Sequence, residues 1–572
     1  GRKTVAIGTM ARESDLRANA VLTLPMPPAG KPYGAFAVLV DGKQVGIVTL
    51  PADIDTLKAK EFFFLSPVFR PCVFGGTAFP ACDFLNPQQV EDLIGPYTIK
   101  TTFYDKDYNQ VTAATKPGRY GAVIEIIPED GRPYRRFRTI YRVPDGVNLE
   151  KMDQWVTVTL PKEFGFDAAL LAERNQELRW RFSGRFWATS AFGNGDAVYC
   201  AGLAEDKPGG FADDWHTKEG MSADRRYWVG LKRKLYGTDT LFPNAFVAPT
   251  PKEGAPAPVV HPGTLQEAGM QPDTVEKLDA LCTEWVANTD EAFIACVVRR
   301  GVVVFNKAYG TRDGTPMTVH TPSYIASLTK MMSGACMMMV VDRGIIDLDD
   351  DIAKVLPPLR DAPVKTPLTL RRLCNHYNGG WDHWGDYDID TEEMIAWYYP
   401  YLQIGAVGAY NGQGYALGSR IVEQVSGEAL GDFYQQHLFG PLSCADTYGH
   451  AAGYGVYSTA LDMAKFGQMM LNKGAYGNMR FFSEVAWRKM MPTKLTMLLG
   501  PDTEVTGGIG CGQWGGPGLS TNCISHGSAS ATTLIIDYDN DLIIAMTRNG
   551  PGANYSTYHP QYIKTVTDCM VK

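Results

Sequence analysis

A serine and a lysine stand three residues apart in Ile-Ala-Ser-Leu-Thr-Lys, positions 325–330, directly ahead of the apolar run Met-Met-Ser-Gly-Ala-Cys-Met-Met-Met-Val-Val. The run predicts a helix, and three residues is nearly one helical turn, so Ser327 and Lys330 share a face with the amine within reach of the hydroxyl. A serine hydroxyl attacks well only when a neighbouring base removes its proton, and an ordinary lysine is protonated at neutral pH. Moving a lysine from about 10.4 to near 7 costs roughly 4–5 kcal/mol, which takes burial or an adjacent positive charge. The crowd of apolar residues supplies the burial. The helix N-terminus points backbone N–H groups toward Ser327, where they can hold an oxyanion. The pattern is the wiring of an activated serine nucleophile, but Ser-x-x-Lys also arises by chance in chains of this length, so its surroundings decide its meaning.

Other chemistries find less support. His376, Asp382 and His383 lie close in sequence, yet no helical His-x-x-x-His or Cys-x-x-Cys accompanies them, and no metal is expected. No Gly-x-Ser-x-Gly elbow and no Gly-x-x-x-x-Gly-Lys phosphate loop occurs. The Gly-x-Gly-x-x-Gly at 510–515 runs into Gly516-Pro517-Gly518 where a dinucleotide site needs a helix, so it reads as a loop, and no cofactor is expected. The methionines at 331, 332 and 337–339 read as core packing with a few lining an apolar cleft. Trp381, Trp384, Trp397, Tyr398 and Tyr399 read equally as ordinary packing or as selectors of an aromatic or apolar substrate.

The surroundings of Ser327 resemble the serine β-lactamase and penicillin-binding protein family, in its branch of class C lactamases, D-amino-acid peptidases and carboxylesterases. Val302-Val303-Val304-Phe305-Asn306-Lys307-Ala308-Tyr309-Gly310 resembles that family's early hairpin strand. Asp342-Arg343-Gly344-Ile345-Ile346-Asp347-Leu348-Asp349-Asp350 resembles the turn closing its nucleophile helix. Leu373-Cys374-Asn375-His376-Tyr377-Asn378-Gly379-Gly380 is similar to its Leu-x-x-His-x-Ser-Gly segment, and Gly455-Val456-Tyr457-Ser458-Thr459-Ala460 to its Gly-Leu-Tyr-Ser-Thr stretch. The likeness runs through 263–572 in the family's order.

That resemblance implies two further motifs. The family's Tyr-x-Asn, whose tyrosine acts with the lysine as base and then as proton donor, falls on Tyr410-Asn411-Gly412, placed by the Gly-Tyr-x-Leu run at 414–417 and the helix at 419–427 that follows it. Asparagine sits at the middle position, as Asn411, and Gly412 occupies the third, which puts substrate positioning in doubt. The literal matches at Tyr476-Gly477-Asn478 and Tyr538-Asp539-Asn540 lie in turn contexts and read as decoys. The family's Lys-Thr-Gly or His-x-Gly strand falls on Ser525–Asp537, ahead of a second strand at 541–547, and makes His526 the motif histidine. Ser528 then stands where the family has glycine, adding a side chain where backbone passes close to substrate. Another register lays Ser525-His526-Gly527 on Lys-Thr-Gly; the spacing to Asp537 favours the first. The resemblance places the oxyanion between the Ser327 and Ala529 amides, with Asn411, Gly527 and Ser528 also at the substrate. It implies an α+β serine β-lactamase-like fold, an α/β sandwich with an antiparallel sheet and a helical subdomain. The implied activity is hydrolysis of an ester or amide through an acyl-enzyme, with Ser327, Lys330, Tyr410 and His526 catalytic. A D-amino-acid peptidase, a penicillin-binding protein or a β-lactam hydrolase are the alternatives, and so is a non-catalytic binding protein on an eroded site. The histidine in place of the lactamase lysine favours an esterase or peptidase.

The rest of the chain must position this set. Its 572 residues exceed a single core, and 45% hydrophobic content is that of a globular protein. The most evident boundary is the Pro- and Ala-rich stretch 243–262, which reads as an extended, semi-rigid linker between an accessory domain at 1–242 and the hydrolase domain at 263–572. Ahead of it, 34–40 running into Asp41-Gly42 reads as a hairpin, 98–104 and 122–127 as strands, and 166–181 as a polar helix. This β-rich domain packs beside the active site, restricts its access or mediates oligomerisation. A net charge of −8 without a basic tract argues against nucleic-acid binding, and no run of eighteen apolar residues spans a bilayer, leaving a small-molecule or peptide substrate as the expected partner. The eleven cysteines make no disulfide scaffold, though Cys72 with Cys82 and Cys511 with Cys523 are spaced for bridges in an exported protein, whereas Cys296 and Cys336 read as buried thiols. The start at Gly-Arg-Lys reads as a processed end, and the resemblance implies a secreted or periplasmic location, with a cytoplasmic one left open.

Overall fold

The computed structural model describes residues 96–111, 118–129, 223–360, 366–378, 391–398, 404–405, 408 and 410–571, and the backbone of further strands within the first 160 residues. Those N-terminal strands form two main sheets. One has five strands in the order Lys3–Ala6, Trp155–Thr159, Ala20–Pro25, Ala35–Val40, Lys43–Thr49. The other has four, in the order Tyr134–Val143, Gly118–Pro128, Tyr97–Tyr104, Gln110–Val111. Ala35–Val40 pairs antiparallel with Lys43–Thr49, Val40 opposite Lys43, as the hairpin reading of this stretch expects, while Asp41 and Gly42 lie outside the described residues. The expected helix at 166–181, Cys82 and the aromatic stretch around Trp381, His383 and Trp384 lie outside the described residues.

Helix α1, Ala223–Tyr236, joins the N-terminal region to the rest. Trp228, Val229 and Leu231 are buried with Val123 of the four-stranded sheet and Ala429, and the Tyr108 and Tyr227 rings stand 5.4 Å apart. Beyond α1, the stretch 243–262 is extended but does not stand off as a linker. Phe246 and Ala248 are buried in the main core, Thr250–Pro251 pairs with Met479–Arg480, and the Val260 N–H donates to the Tyr476 hydroxyl at 3.1 Å. Proline removes donors without preventing this, because an edge strand needs only some of its N–H groups.

The central sheet has seven strands: β1 His261–Pro262, β2 Phe293–Arg299, β3 Val302–Tyr309, β4 Gly512–Gln513, β5 Cys523–Ser525, β6 Thr533–Asp537 and β7 Leu542–Thr547, in the spatial order β1-β3-β2-β7-β6-β5-β4. Only the β1–β3 pair is parallel. β2 reads as a continuous apolar run because both its faces are covered. Phe293, Ala295 and Val297 pack with Trp285 of α2 (Thr274–Ala287) and Tyr562 of the C-terminal helix Tyr555–Asp568, while Ile294, Cys296 and Val298 enter the larger core.

In that larger core lies α3, Thr329–Asp342, with thirteen of its fourteen residues buried, from Thr329 to Val341. A helix apolar all round belongs at the centre of a fold, which is why its methionines carry no amphipathic signal. α4 (Thr391–Tyr398) and α5 (Gln413–Ser426) build the neighbouring helical layer. The described residues thus form an α+β sandwich with an antiparallel sheet and a helical subdomain, and no helix among them is long and apolar enough to cross a membrane. Cys511 and Cys523 are separate buried thiols, correcting the expectation of a bridge, and Cys296 and Cys336 are buried thiols as well.

Candidate active site

Ser327 does not lie in α3 itself. It occupies a 3-10 turn, Ala326–Leu328, that runs into the helix, and Ala326 holds a φ of +46°. A left-handed alanine costs of order 1 kcal/mol or more and persists only where its surroundings over-determine it. They do so here. Ile325 donates its N–H to the Val456 carbonyl at 3.0 Å, the Leu328 N–H returns to the Ile325 carbonyl at 3.2 Å, and Val456 donates to Thr329 Oγ1 at 3.2 Å. The segment Val456–Ser458, a short strand paired with Ser323–Tyr324, is therefore the clamp on the nucleophile turn.

Two groups converge on Ser327 Oγ. Lys330 Nζ donates to it at 3.3 Å, one turn along as the spacing predicts, and the Tyr410 hydroxyl donates to it at 2.8 Å. Lys330 is 2% exposed; its Nζ also donates to the Gly453 carbonyl at 2.6 Å and lies 4.9 Å and 5.3 Å from the Tyr410 and Tyr415 ring centres. Among the described residues no carboxylate pairs with it. Tyr410 is 57% exposed, so the alternative of a buried structural tyrosine does not hold, and Tyr476 and Tyr538 bond elsewhere, to Val260 and Trp487.

Asn411 turns the other way. Its side chain is buried against Asn378, amide to amide at 2.8 Å and 3.3 Å, and its Oδ1 also accepts the Gly414 N–H at 3.2 Å. At 2% exposure it shapes the loop below the site. Beside it, the His376 ring packs tilted against Tyr410 with ring centres 4.4 Å apart, and its Nδ1 accepts the Asn411 N–H at 3.3 Å. His376 was legible as part of the Leu-x-x-His segment, but nothing in its sequence context pointed to Tyr410.

The expected strand Ser525–Asp537 is a hairpin. β5 ends at Ser525, β6 begins at Thr533, and their pairing stops at Ile524–Ile536. His526, Gly527, Ser528 and Ala529 lie in the connecting turn, with the His526 ring centre 6.2 Å from that of Tyr410. The backbone N–H groups of Ser327 and Ala529 have no hydrogen-bond partner among the described residues, leaving both free to donate. Ser528 does not project into the cleft: its hydroxyl donates to the Ile325 carbonyl at 2.9 Å.

His526 donates Nδ1–H to the Gly527 carbonyl at 2.6 Å, so its neutral ring leaves Nε2 as an acceptor. Burial first, and then the Lys330 charge, push its pKa down to about 4; burial, Lys330 and His526 push His376 down to about 3; burial and Arg548 push His559 down to about 4. All three are neutral at pH 7. Unfolding returns each toward its ordinary 6.5, so between about pH 6.5 and 4 the unfolded chain binds protons the folded chain refuses. Stability from these groups is intact above pH 6.5 and falls as the pH drops through that window. Thermal midpoints should therefore decline from pH 7 to 4, and the decline should shrink in His559→Gln, whose ring lies outside the site. An unchanged decline in that variant would remove this explanation.

The described residues contain no group of His, Cys, Asp and Glu arranged to hold a metal ion. Residues 291–567 match the Beta-lactamase family model. That match covers slightly less than half of the chain, and the similarity to this family is a property of those C-terminal residues. Among curated proteins the chain is similar to a lovastatin esterase of Penicillium rubens, 28% identical over 193 residues, which are 27% of this chain and 48% of that protein. It is also similar to a putative D-alanyl-D-alanine carboxypeptidase of Escherichia coli K12, 22% identical over 374 residues, 51% of this chain and 86% of that protein. The chain spans about half the length, or less, of the first curated relatives it matches. Among solved structures, a putative β-lactamase from Bacteroides dorei is 22% identical with a TM-score of 0.44, covering 52% of this chain and 99% of that one.

Proposed function

We propose that this protein is a serine hydrolase that cleaves an ester or amide bond through a covalent acyl-enzyme on Ser327. The observation that carries the reading is the convergence of Lys330 Nζ and the Tyr410 hydroxyl on Ser327 Oγ, at 3.3 Å and 2.8 Å. Ser327 attacks the carbonyl carbon while the Lys330–Tyr410 pair takes its proton. The carbonyl oxygen, now negative, sits between the free Ser327 and Ala529 N–H groups. As the intermediate collapses, Tyr410 gives a proton to the departing oxygen or nitrogen. Water, deprotonated by the same pair, then releases the acyl group. His526 is poorly suited to donate that proton: it is neutral, and its one N–H is committed to Gly527. Its role is to accept a hydrogen bond at the rim of the cleft.

An ester or neutral amide fits best as substrate. A neutral His526 brings no charge to attract the carboxylate that a penicillin or a free peptide C-terminus carries, and a relative named for esterase activity supports this choice. The second reading, a D-amino-acid peptidase, is favoured by the relative of that name matched over 86% of its length. A non-catalytic protein is disfavoured, because the residues that depart from the family pattern, Gly412 and Ser528, leave the contacts to Ser327 Oγ intact.

Intact mass of the wild-type protein and Ser327→Ala after exposure to a fluorophosphonate, and separately to a penicillin, tests this. A phosphonate adduct on wild type that Ser327→Ala lacks is the expected result. A persistent penicillin adduct as well would move the reading to the peptidase. Absence of any Ser327-dependent adduct would overturn it in favour of a binding protein.

A further inference from the structure

The turn that carries Ala529 is held by side-chain hydroxyls. Between Ile524 and Ile536 the β5–β6 ladder gives it no support, and Ala531 within it takes a φ of +56°. Ser528 Oγ lies 2.9 Å from the Ile325 carbonyl and 2.8 Å from Ser530 Oγ; Ser530 Oγ lies 3.0 Å from Thr532 Oγ1, which lies 2.9 Å from the Arg548 carbonyl. One end of this ladder is the end of β7. The other is Ile325, fully buried, two residues before the nucleophile, its N–H bonded to the Val456 carbonyl and its own carbonyl also accepting the Leu328 N–H of the nucleophile turn. Both ends of the ladder are carbonyls that only accept, so Ser528 donates to Ile325 and Thr532 to Arg548, and the single Ser530 hydrogen goes to Ser528 Oγ or to Thr532 Oγ1. The Ser528–Ile325 bond is the direct tie between the turns that bear the two free amides.

We propose that Ser528 is a positioning residue of the oxyanion hole: its bond to the Ile325 carbonyl sets the separation of the Ala529 and Ser327 N–H groups. The serine standing where the family has glycine is then a working part of the site in this chain, not an erosion of it. Two donors aimed at one oxygen stabilise the transition state only while both reach it, and a misplacement of about 1 Å costs on the order of 100-fold in rate. Removing the tie frees the turn about its hinge at Ala531 and slackens the hole, while the substrate's ground-state contacts stay.

This inference rests on the acyl-enzyme reading above. The test is hydrolysis of a p-nitrophenyl ester by wild type, Ser528→Gly, Ser528→Ala and Ser528→Thr, with thermal midpoints measured alongside so that rates are compared well below unfolding. Ser528→Gly and Ser528→Ala should lose about 10- to 100-fold in kcat with KM within about threefold, and Ser528→Thr, which keeps the hydroxyl, should stay within about threefold of wild type. Restoring the family glycine is thus expected to impair the enzyme. The proposal is overturned if Ser528→Gly matches or exceeds wild type, if the loss falls on KM, or if Ser528→Thr fails while remaining folded. Should Ser528→Gly not fold, Ser528→Ala against Ser528→Thr decides it. Wild type without turnover and without a Ser327 adduct would instead sink the acyl-enzyme reading, and this inference with it.

Discussion

Replacing Lys330 by alanine is expected to lower kcat/KM for a p-nitrophenyl ester by at least about 10³-fold, near the upper end of what a positioned general base contributes. Three features make the effect large. Lys330 is buried, it contacts Ser327 Oγ directly, and its remaining contacts are a carbonyl and two tyrosine rings, so no neighbouring base can replace it. Lys330→Arg should fail as completely, because a guanidinium keeps its protons in proteins and cannot take one from serine. Tyr410→Phe alone should cost less, since Lys330 keeps its own contact to Ser327 Oγ. Combined with Lys330→Ala it should add little, because the two residues act on one proton. Full activity in a folded Lys330→Arg protein would eliminate lysine as the base. Thermal midpoints of each variant separate this from a packing defect.

The second large effect concerns where the catalytic unit begins. Family likeness starts at residue 291, and a fragment cut within the Pro/Ala-rich stretch, spanning 259–572, reads from sequence as an independent unit. It should not fold. α1 lies outside such a fragment, yet among the described residues it supplies two cations, Arg225 and Lys232, to a buried cluster. Arg225 donates to both Glu423 oxygens at 2.9 Å and 2.8 Å, Lys232 donates to Glu392 at 2.5 Å, and Tyr236 bonds Glu392 and Glu393. Arg420 faces Glu423 and Glu392 from α5. Among the described residues, removing α1 leaves Arg420 as the cation bonded to both Glu423 and Glu392. Breaking a single buried pair costs about 3–5 kcal/mol, against a total stability of about 5–15 kcal/mol, so losing two at once exhausts the margin. A fragment beginning at residue 223 keeps the cluster and should unfold cooperatively. Cooperative melting of 259–572 within a few degrees of the 223–572 fragment would refute the assignment.

The same cluster reaches the site. Glu423 and Arg420 lie on α5, whose first turn follows Tyr410 and Asn411, and Glu392 and Glu393 lie on α4 beside it. An element from the N-terminal side of the chain therefore holds the helical layer that carries the tyrosine. This link was invisible in sequence because neither Arg225 nor Lys232 stands in a motif, and a charged residue on a helix is ordinarily a solvated one.

Much of the site was nevertheless legible. Ser327 and Lys330 were readable because their relation is local: helical geometry alone puts residues three apart on one face. Tyr410 was readable from its place before a patterned helix, and β3, β6 and β7 from the likeness of their segments to the family's strands. Where the reading stopped, the deciding contact joined segments far apart in the chain. The side chain of Asn411 is aimed by Asn378, that of Ser528 by Ile325, some 200 positions away, and the turn at 526–532 exists because the β5 and β6 ladder ends before it. Cys511 and Cys523 were close enough in sequence to invite a bridge, but the sheet keeps them as separate thiols. What the sequence by itself determined is which side chains are proposed as the reacting groups, since their chemistry and local spacing are properties of short segments. Which of the neighbouring polar side chains face the substrate, and which face the protein and hold the site in shape, only the tertiary structure decided, because that choice is made by long-range partners and no local period encodes it.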